Sequence, residues 1–216
     1  MFKPLRNDIV VRFDATKSFF SATRHLDGDN GATARGLVFI QIYAAYEYVV
    51  NSVVRIGIDC INAHEHKMKD LSKTLLALYL DSEFDSVRNS GQKNVWRARL
   101  NIFESAFSDK VIALPNNVRP PTDGNHYRRS HLDMILEVFG AGPLPISHQH
   151  LFKIDEIVNH RNQIAHGGET ASEVGRRYTI GEVSDIIDQI HRICVSLVDV
   201  FEVFCANGSR HKRQQC

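Results

Sequence analysis

The chain has 216 residues, of which 43% are hydrophobic and 24% charged, and its formal net charge is +1. This is a folded, globular composition, long enough for one large domain or two small ones. The near-neutral balance argues against binding nucleic acid by bulk charge alone, but permits a local basic site. Along the chain, helical periodicity recurs and strand signals are weak. A first helix is predicted near 4–26 and a long apolar one near 33–63. A third covers 68–89, with Leu71, Leu75, Leu78 and Leu80 as its apolar side, and a short one near 93–107 surrounds Trp96 and Phe103. Residues 109–126 contain LPNNVRPPTDGN, which proline and glycine mark as a loop excursion or lid. Helices near 129–139 and 147–166 follow, the second stopped by the capping glycines Gly167 and Gly168. After a polar loop, Thr179 and Glu182 form a capping-box pattern that opens a last helix reaching about residue 206. The expected fold is an all-α bundle of long antiparallel helices, a single domain over 1–207, with a basic, disordered tail at 208–216.

Several function classes find no support. The four cysteines, at 60, 194, 205 and 216, form no CxxC pair, so they read as inert thiols rather than a zinc or redox site. With no signal peptide, the expected setting is the reducing cytoplasm. The histidine clusters at 64–66 and 148–150 read as incidental surface residues, and no HExxH or carboxylate-rich helical pattern is present, so neither metal nor cofactor is expected. The run GLVFIQIYAAYEYVVNSVV at 36–54 is long enough to suggest a membrane span, but it holds Gln41, Glu47, Asn51, Ser52 and three tyrosines. A buried helix in a helical core or dimer interface fits it better, with no membrane.

The helix near 147–166 breaks its own pattern. At about 100° per residue, Leu151, Ile154, Ile157, Val158, Ile164 and Ala165 share one arc, and Arg161 lands in the middle of it. Burying an unpaired guanidinium is costly, so Arg161 needs a partner, a cleft or a second subunit. Asp155, Asn159, Asn162 and His166 form a continuous polar stripe beside that arc. Arg161 and His166, five residues apart, stand about 140° apart around a straight helix. Either Arg161 reaches round the Asn162 side, or the helix end distorts at Gly167, or a twin helix completes the site. Glu47 is the only charged residue between Arg35 and Arg55 and offers Arg161 a partner. A Glu47–Arg161 pair that merely fixes register, and a His166 that merely caps a helix C-terminus, remain alternatives at this point.

Arg161-Asn162-Gln163-Ile164-Ala165-His166 resembles the RxxxxH motif of the HEPN superfamily, in the form where asparagine follows arginine. Gly167-Gly168, a long final helix and an early apolar helix carrying an acidic residue strengthen the resemblance, which is closest to the stand-alone nucleases of bacterial defence and toxin–antitoxin systems. It covers roughly residues 127–206, supported by the 33–63 helix; residues 64–126 match nothing in it. The resemblance implies a helical bundle that homodimerises, with two motifs facing each other in one composite site, and metal-independent cleavage of RNA. Carried over, Arg161 and His166 are the catalytic pair, Asn162 orients, and Glu47 supports from the early helix.

These residue types suit that chemistry. RNA brings its own nucleophile, the 2′-hydroxyl; histidine can take or give a proton near neutrality, and arginine can grip phosphate oxygens. The expected products carry 2′,3′-cyclic phosphate and 5′-hydroxyl ends. Tyr127, Arg128 and Arg129 could bind RNA by stacking and phosphate contact, or simply form a solvated helix start. The competing reading is a non-catalytic helical HEPN module that binds a partner protein or a nucleotide. A toxin would also need an antitoxin or regulatory protein to restrain it.

Overall fold

The computed structural model describes residues 1–114 and 126–207. Most of the proline-rich stretch, at 115–125, and the tail, at 208–216, lie outside the described residues. Nine α-helices account for most of the described chain: α1 Lys3–Thr23, α2 Gly28–Asn62, α3 Lys73–Tyr79, α4 Asp81–Asn89, α5 Val95–Ala106, α6 Arg129–Phe139, α7 His148–Ala165, α8 Ala171–Gly175 and α9 Ile180–Ala206. The described strands are β1 His66–Lys67 and β2 Val111–Ile112, one short antiparallel ladder. The chain is all-α.

Two segments differ from the sequence expectation. The helix expected over 68–89 is a 3-10 turn, Met68–Asp70, followed by α3 and α4. Leu71 and Ser72 are extended, and the Ser72 hydroxyl caps α3 by accepting the Leu75 N–H at 3.3 Å. Serine competes for the backbone in this way and starts a helix rather than continuing one. The polar loop after Gly168 holds α8, opened by a capping box between Thr170 and Glu173. The pair expected at Thr179 and Glu182 forms the same box, with bonds of 2.7 and 3.2 Å.

The described residues group into two compact units. The first takes residues 1–53, 126–132 and 144–199. Its α1 and α9 run antiparallel: Arg6 pairs with Asp199 and Lys17 with Asp188, both at 2.7 Å, so numbers rise on one helix as they fall on the other. Such exposed pairs add little energy. Phe13, Val38, Phe39, Ile42, Ile154, Ile157, Ile190 and Leu197 each expose 1% or less and supply most of the stabilisation, about 1.5–3 kcal/mol apiece. α2 is long and apolar enough to cross a membrane by length and composition, but most of its apolar residues up to Val53, among them Val38, Phe39, Ile42 and Val49, are buried in this core. Two tyrosines of α2 use their polar tips: Tyr43 donates to Glu47, and Tyr48 donates to Asp8 at 2.5 Å and lies under the Arg12 guanidinium.

The second unit takes residues 54–114, 133–143 and 200–207. Phe139, Phe201 and Phe204 form a ring cluster at centroid distances of 5.2, 5.6 and 6.0 Å. Gly57 lets two of these rings approach α2, since a Cβ there would stand 2.9 Å from both Phe139 and Phe201. Asn62 ties the chain near β2 by bonding both the N–H and the carbonyl of Leu114. His66, expected at the surface, is buried on β1. Cys60 and Cys194 are buried free thiols, Cys205 is half-buried, and Cys216 lies outside the described residues.

Two glycines bring the segment after α7 onto α2. A Cβ at Gly36 would stand 1.9 Å from the Ala171 carbonyl oxygen, and one at Gly175 would stand 1.8 Å from the Ala32 carbonyl oxygen. The Arg35 Nε–H donates to the Gly175 carbonyl at 2.9 Å. Because both obstacles are backbone, Gly36→Ala is expected to destabilise the chain by about 2–3 kcal/mol, read as a lowered urea midpoint. An unchanged midpoint would mean that α8 is not held against α2 by this contact.

Candidate active site

α7 carries Arg161 and Asn162 near its C-terminal end, and His166 is its C-cap. Leu151, Ile154, Ile157 and Val158 are its buried face. The expected arc does not continue to the end of the helix: Ile164 is half-buried and Ala165 exposed, because the core stops covering the helix after Val158. Arg161 is accordingly half-buried rather than buried.

The helix ends in a Schellman motif. His166 is the C-cap and Gly167 adopts φ +72°; the Gly167 N–H bonds the Ile164 carbonyl and the Gly168 N–H bonds the Gln163 carbonyl. A positive φ is the conformation that glycine supplies without strain. The motif terminates α7 cleanly and leaves the His166 side chain exposed, with its backbone N–H on the Asn162 carbonyl at 3.0 Å. No hydrogen bond to the His166 ring is present among the described residues.

Of the three arrangements open in the sequence, Arg161 leans towards Asn162: its Nη1 donates to Asn162 Oδ1 at 3.1 Å. Its guanidinium also lies over the Tyr43 ring, 5.0 Å from the centroid. The Tyr43 hydroxyl donates to Glu47 Oε1 at 3.1 Å. Among the described residues there is no direct Glu47–Arg161 ion pair; the phenol stands between them. Burial and the Glu47 carboxylate together push the Tyr43 phenol up to about 12, so it keeps its proton near neutrality, while the Tyr127 backbone N–H and Arg161 oppose the rise.

The proposed RNA contacts are placed unequally. Tyr127 is buried and donates to Asn51 Oδ1 at 2.6 Å, so its ring is not offered for base stacking. Arg128 lies 4.0 Å from Asp155, which also caps α6 by accepting the Arg129 N–H. The Arg129 guanidinium lies over Phe152 and meets His148 Nδ1 at 2.8 Å. This pair of arginines is therefore tied to α7, at some distance along the helix from Arg161.

A second polar group was not read from the sequence. Tyr178 donates to Glu156 at 2.9 Å, so His160 Nε2, 2.6 Å from the same oxygen, must be the donor to it. Phe39 packs on both rings. Phe39 and Tyr43, one turn apart on α2, thus meet His160 and Arg161, neighbours on α7. Tyr43 was not read from the sequence either, although its place one turn before Glu47 was a local signal for it. The His160–Tyr178 pairing, eighteen residues apart, left no local signal. Among the described residues no group of three or more His, Cys, Asp or Glu is placed to hold a metal ion.

The model of the HEPN_MAE_28990-like HEPN family matches residues 3–209. The chain belongs to this HEPN family. No curated protein and no solved structure matched it. The match covers both compact units, including the stretch 64–126 that the motif resemblance left unaccounted for. The HEPN superfamily generally includes RNases, and the family's helical character agrees with the nine helices described.

The half-buried imidazoles of this HEPN chain are expected to make its stability pH-dependent. Burial lowers His160 below the ordinary histidine value, and burial together with Lys17 lowers His191. A lowered folded value means that the unfolded chain binds more protons, so stability rises with pH. The full contribution is present above about pH 6.5, the unfolded value, and is lost as pH falls below it. The melting temperature is expected to drop between about pH 7 and pH 5.5, and less steeply in His160→Gln. An identical slope in the variant would remove His160 as a source.

Proposed function

We propose that this HEPN protein is a metal-independent endoribonuclease acting on single-stranded RNA. The observation that carries this reading is the end of α7, where a half-buried guanidinium, held by Asn162 and the Tyr43 ring, stands five residues before an exposed imidazole at the C-cap. The 2′-hydroxyl of the substrate loses its proton to a neutral imidazole and attacks the adjacent phosphorus. The P–O5′ bond breaks, and the leaving oxygen takes a proton from an imidazolium, giving 2′,3′-cyclic phosphate and 5′-hydroxyl ends. Arg161 stabilises the phosphorane charge with paired donors. Asn162 and Tyr43 position it, and Glu47 acts at one remove through the phenol.

Two protons move, and one His166 cannot be base and acid at once. A homodimer that brings two α7 ends together supplies both imidazoles, and the incompletely covered Ile164 and Ala165 suit such an approach. In this reading the protein is a toxin or defence effector restrained by an antitoxin or regulatory protein. A non-catalytic module that binds a partner protein or nucleotide is the second reading, favoured by the net charge of +1.

The purified protein should degrade single-stranded RNA in EDTA. His166→Ala and Arg161→Ala should each reduce the rate by about 10²–10⁴-fold without altering the helical circular dichroism signal. Tyr43→Phe, which keeps the ring under Arg161 but loses the link to Glu47, should cost less than Arg161→Ala. Equal degradation by wild type and His166→Ala would end the proposal, and a stable partner complex without RNA turnover would favour the second reading.

A further inference from the structure

The most exposed apolar face in the second unit belongs to α5. Trp96, Leu100 and Phe103, with Phe107 at its C-cap, expose 68%, 52%, 62% and 61% of their surface. At about 100° per residue these four side chains fall within about 60° of one another, a single straight stripe. The inward face holds the smaller set: Val95, Ala98, Ile102 and Ser105 are half-buried, and only Ala106 is buried. The helix therefore turns its largest apolar side chains outward, which solvent alone does not favour.

The flanks indicate what covers the stripe. Arg97 and Glu104 lie on the same edge, seven residues or about 10 Å apart along the axis. Both are exposed, and neither makes an ion pair among the described residues. On the opposite edge Arg99 folds over its own Trp96 ring at 5.0 Å. A polyanion would meet Glu104 at this edge, and the neighbouring α4 starts with Asp81 and Glu83. A partner needs an apolar stripe with both charge signs at the same spacing. α5 itself has that form.

We propose that α5 is a self-association helix, pairing antiparallel with α5 of a second copy of this chain. Same-edge residues face each other when two helices pair antiparallel. With the twofold axis between Leu100 and Asn101, Arg97 meets the partner's Glu104, and Glu104 meets the partner's Arg97. Trp96 then inserts between the partner's Phe103 and Phe107, and Phe103 between the partner's Trp96 and Leu100. Side chains of this size bury about 150–250 Å² each. At the observed exposures the stripe offers roughly 500 Å² per copy, or about 1,000 Å² in all, the lower bound for a specific interface. The association is accordingly weak and concentration-dependent. α5 lies wholly in the second unit and carries none of the residues assigned to the proposed nuclease site.

Trp96 is the only tryptophan of the chain, so its fluorescence reports this face alone. The full chain should show emission that shifts to the red on dilution, in step with dissociation seen by sedimentation. Arg97→Glu and Glu104→Arg should each weaken the association about tenfold by placing like charges opposite one another. The double variant Arg97→Glu/Glu104→Arg should restore it, which a general loss of folding would not do. Leu100→Glu should abolish it with the helical signal intact. Red, concentration-independent emission would overturn the proposal, as would a double variant no better than the singles. So would a shift of dilute wild-type emission on adding single-stranded RNA, which would assign the face to nucleic acid. Association that leaves Trp96 emission unmoved at every concentration, as pairing at the α7 ends alone would, overturns it equally.

Discussion

The arrangement of this protein turns on how one guanidinium is accommodated. Arg161 stands on a helix whose buried face is apolar, and taking a cation out of water without compensation is unfavourable by several kcal/mol or more. A direct carboxylate would compensate it, and the sequence offers Glu47. The structure instead interposes Tyr43, whose ring faces the cation and whose hydroxyl faces the carboxylate. The difference has chemical content. A bidentate ion pair would occupy the donors that grip a phosphate, whereas a ring contact occupies none. Arginine has five N–H donors, and a single one is used, on Asn162, among the described residues. Glu47 thus contributes negative potential without saturating the cation. This is a better arrangement for binding an anion than for fixing register.

Holding that arrangement requires α2 and α7 to keep a constant relation, and the backbone provides it. Gly36 and Gly175 allow α8 to lie directly on α2, with carbonyl groups where side chains would otherwise stand. Arg35 closes the contact on the Gly175 carbonyl. The Schellman turn at Gly167 reverses the chain over two residues, so that α8 follows α7 closely. The candidate residues therefore sit on a helix end anchored on both sides, not on a free loop. His160 and Tyr178 add a second polar link between α7 and the start of α9, under the cover of Phe39.

Much of this was legible in the sequence where the signal is local. The helix ends at Gly167 and Thr179 follow from residues adjacent in the chain, and the all-α class follows from recurring periodicity. Arg161 was conspicuous because a charge in an apolar arc violates a simple pattern. What was not legible depends on distant residues. Nothing near Tyr127 announces that its hydroxyl meets Asn51, seventy-six residues away, which turns an apparent stacking residue into a core residue. Nor does periodicity say where coverage stops: Ile164 and Ala165 share the arc of Leu151, but the core ends before reaching them. The split at Ser72 was missed for a different reason, because a capping hydroxyl outweighed a leucine pattern that continues through it.

The same limit explains α5. Periodicity identifies an apolar face but not the surface that meets it, and for a helix in a bundle the ordinary assumption is that the apolar face points inward. In α1, α2 and α9, and in α7 as far as Val158, that assumption holds, since the main apolar stripe is buried. In α5 the small residues Ala98, Ser105 and Ala106 take the inward side, where they allow close approach to the rest of the unit, and the large ones are left outside. A sequence selected only for the stability of the single chain would gain by exchanging the two sides. That it has not done so is an argument from packing, independent of the residues on α7, that this chain's stability is not the only constraint on α5. An exposed face of this kind keeps a role only if something covers it, and the paired charges at its edge give that cover a geometry.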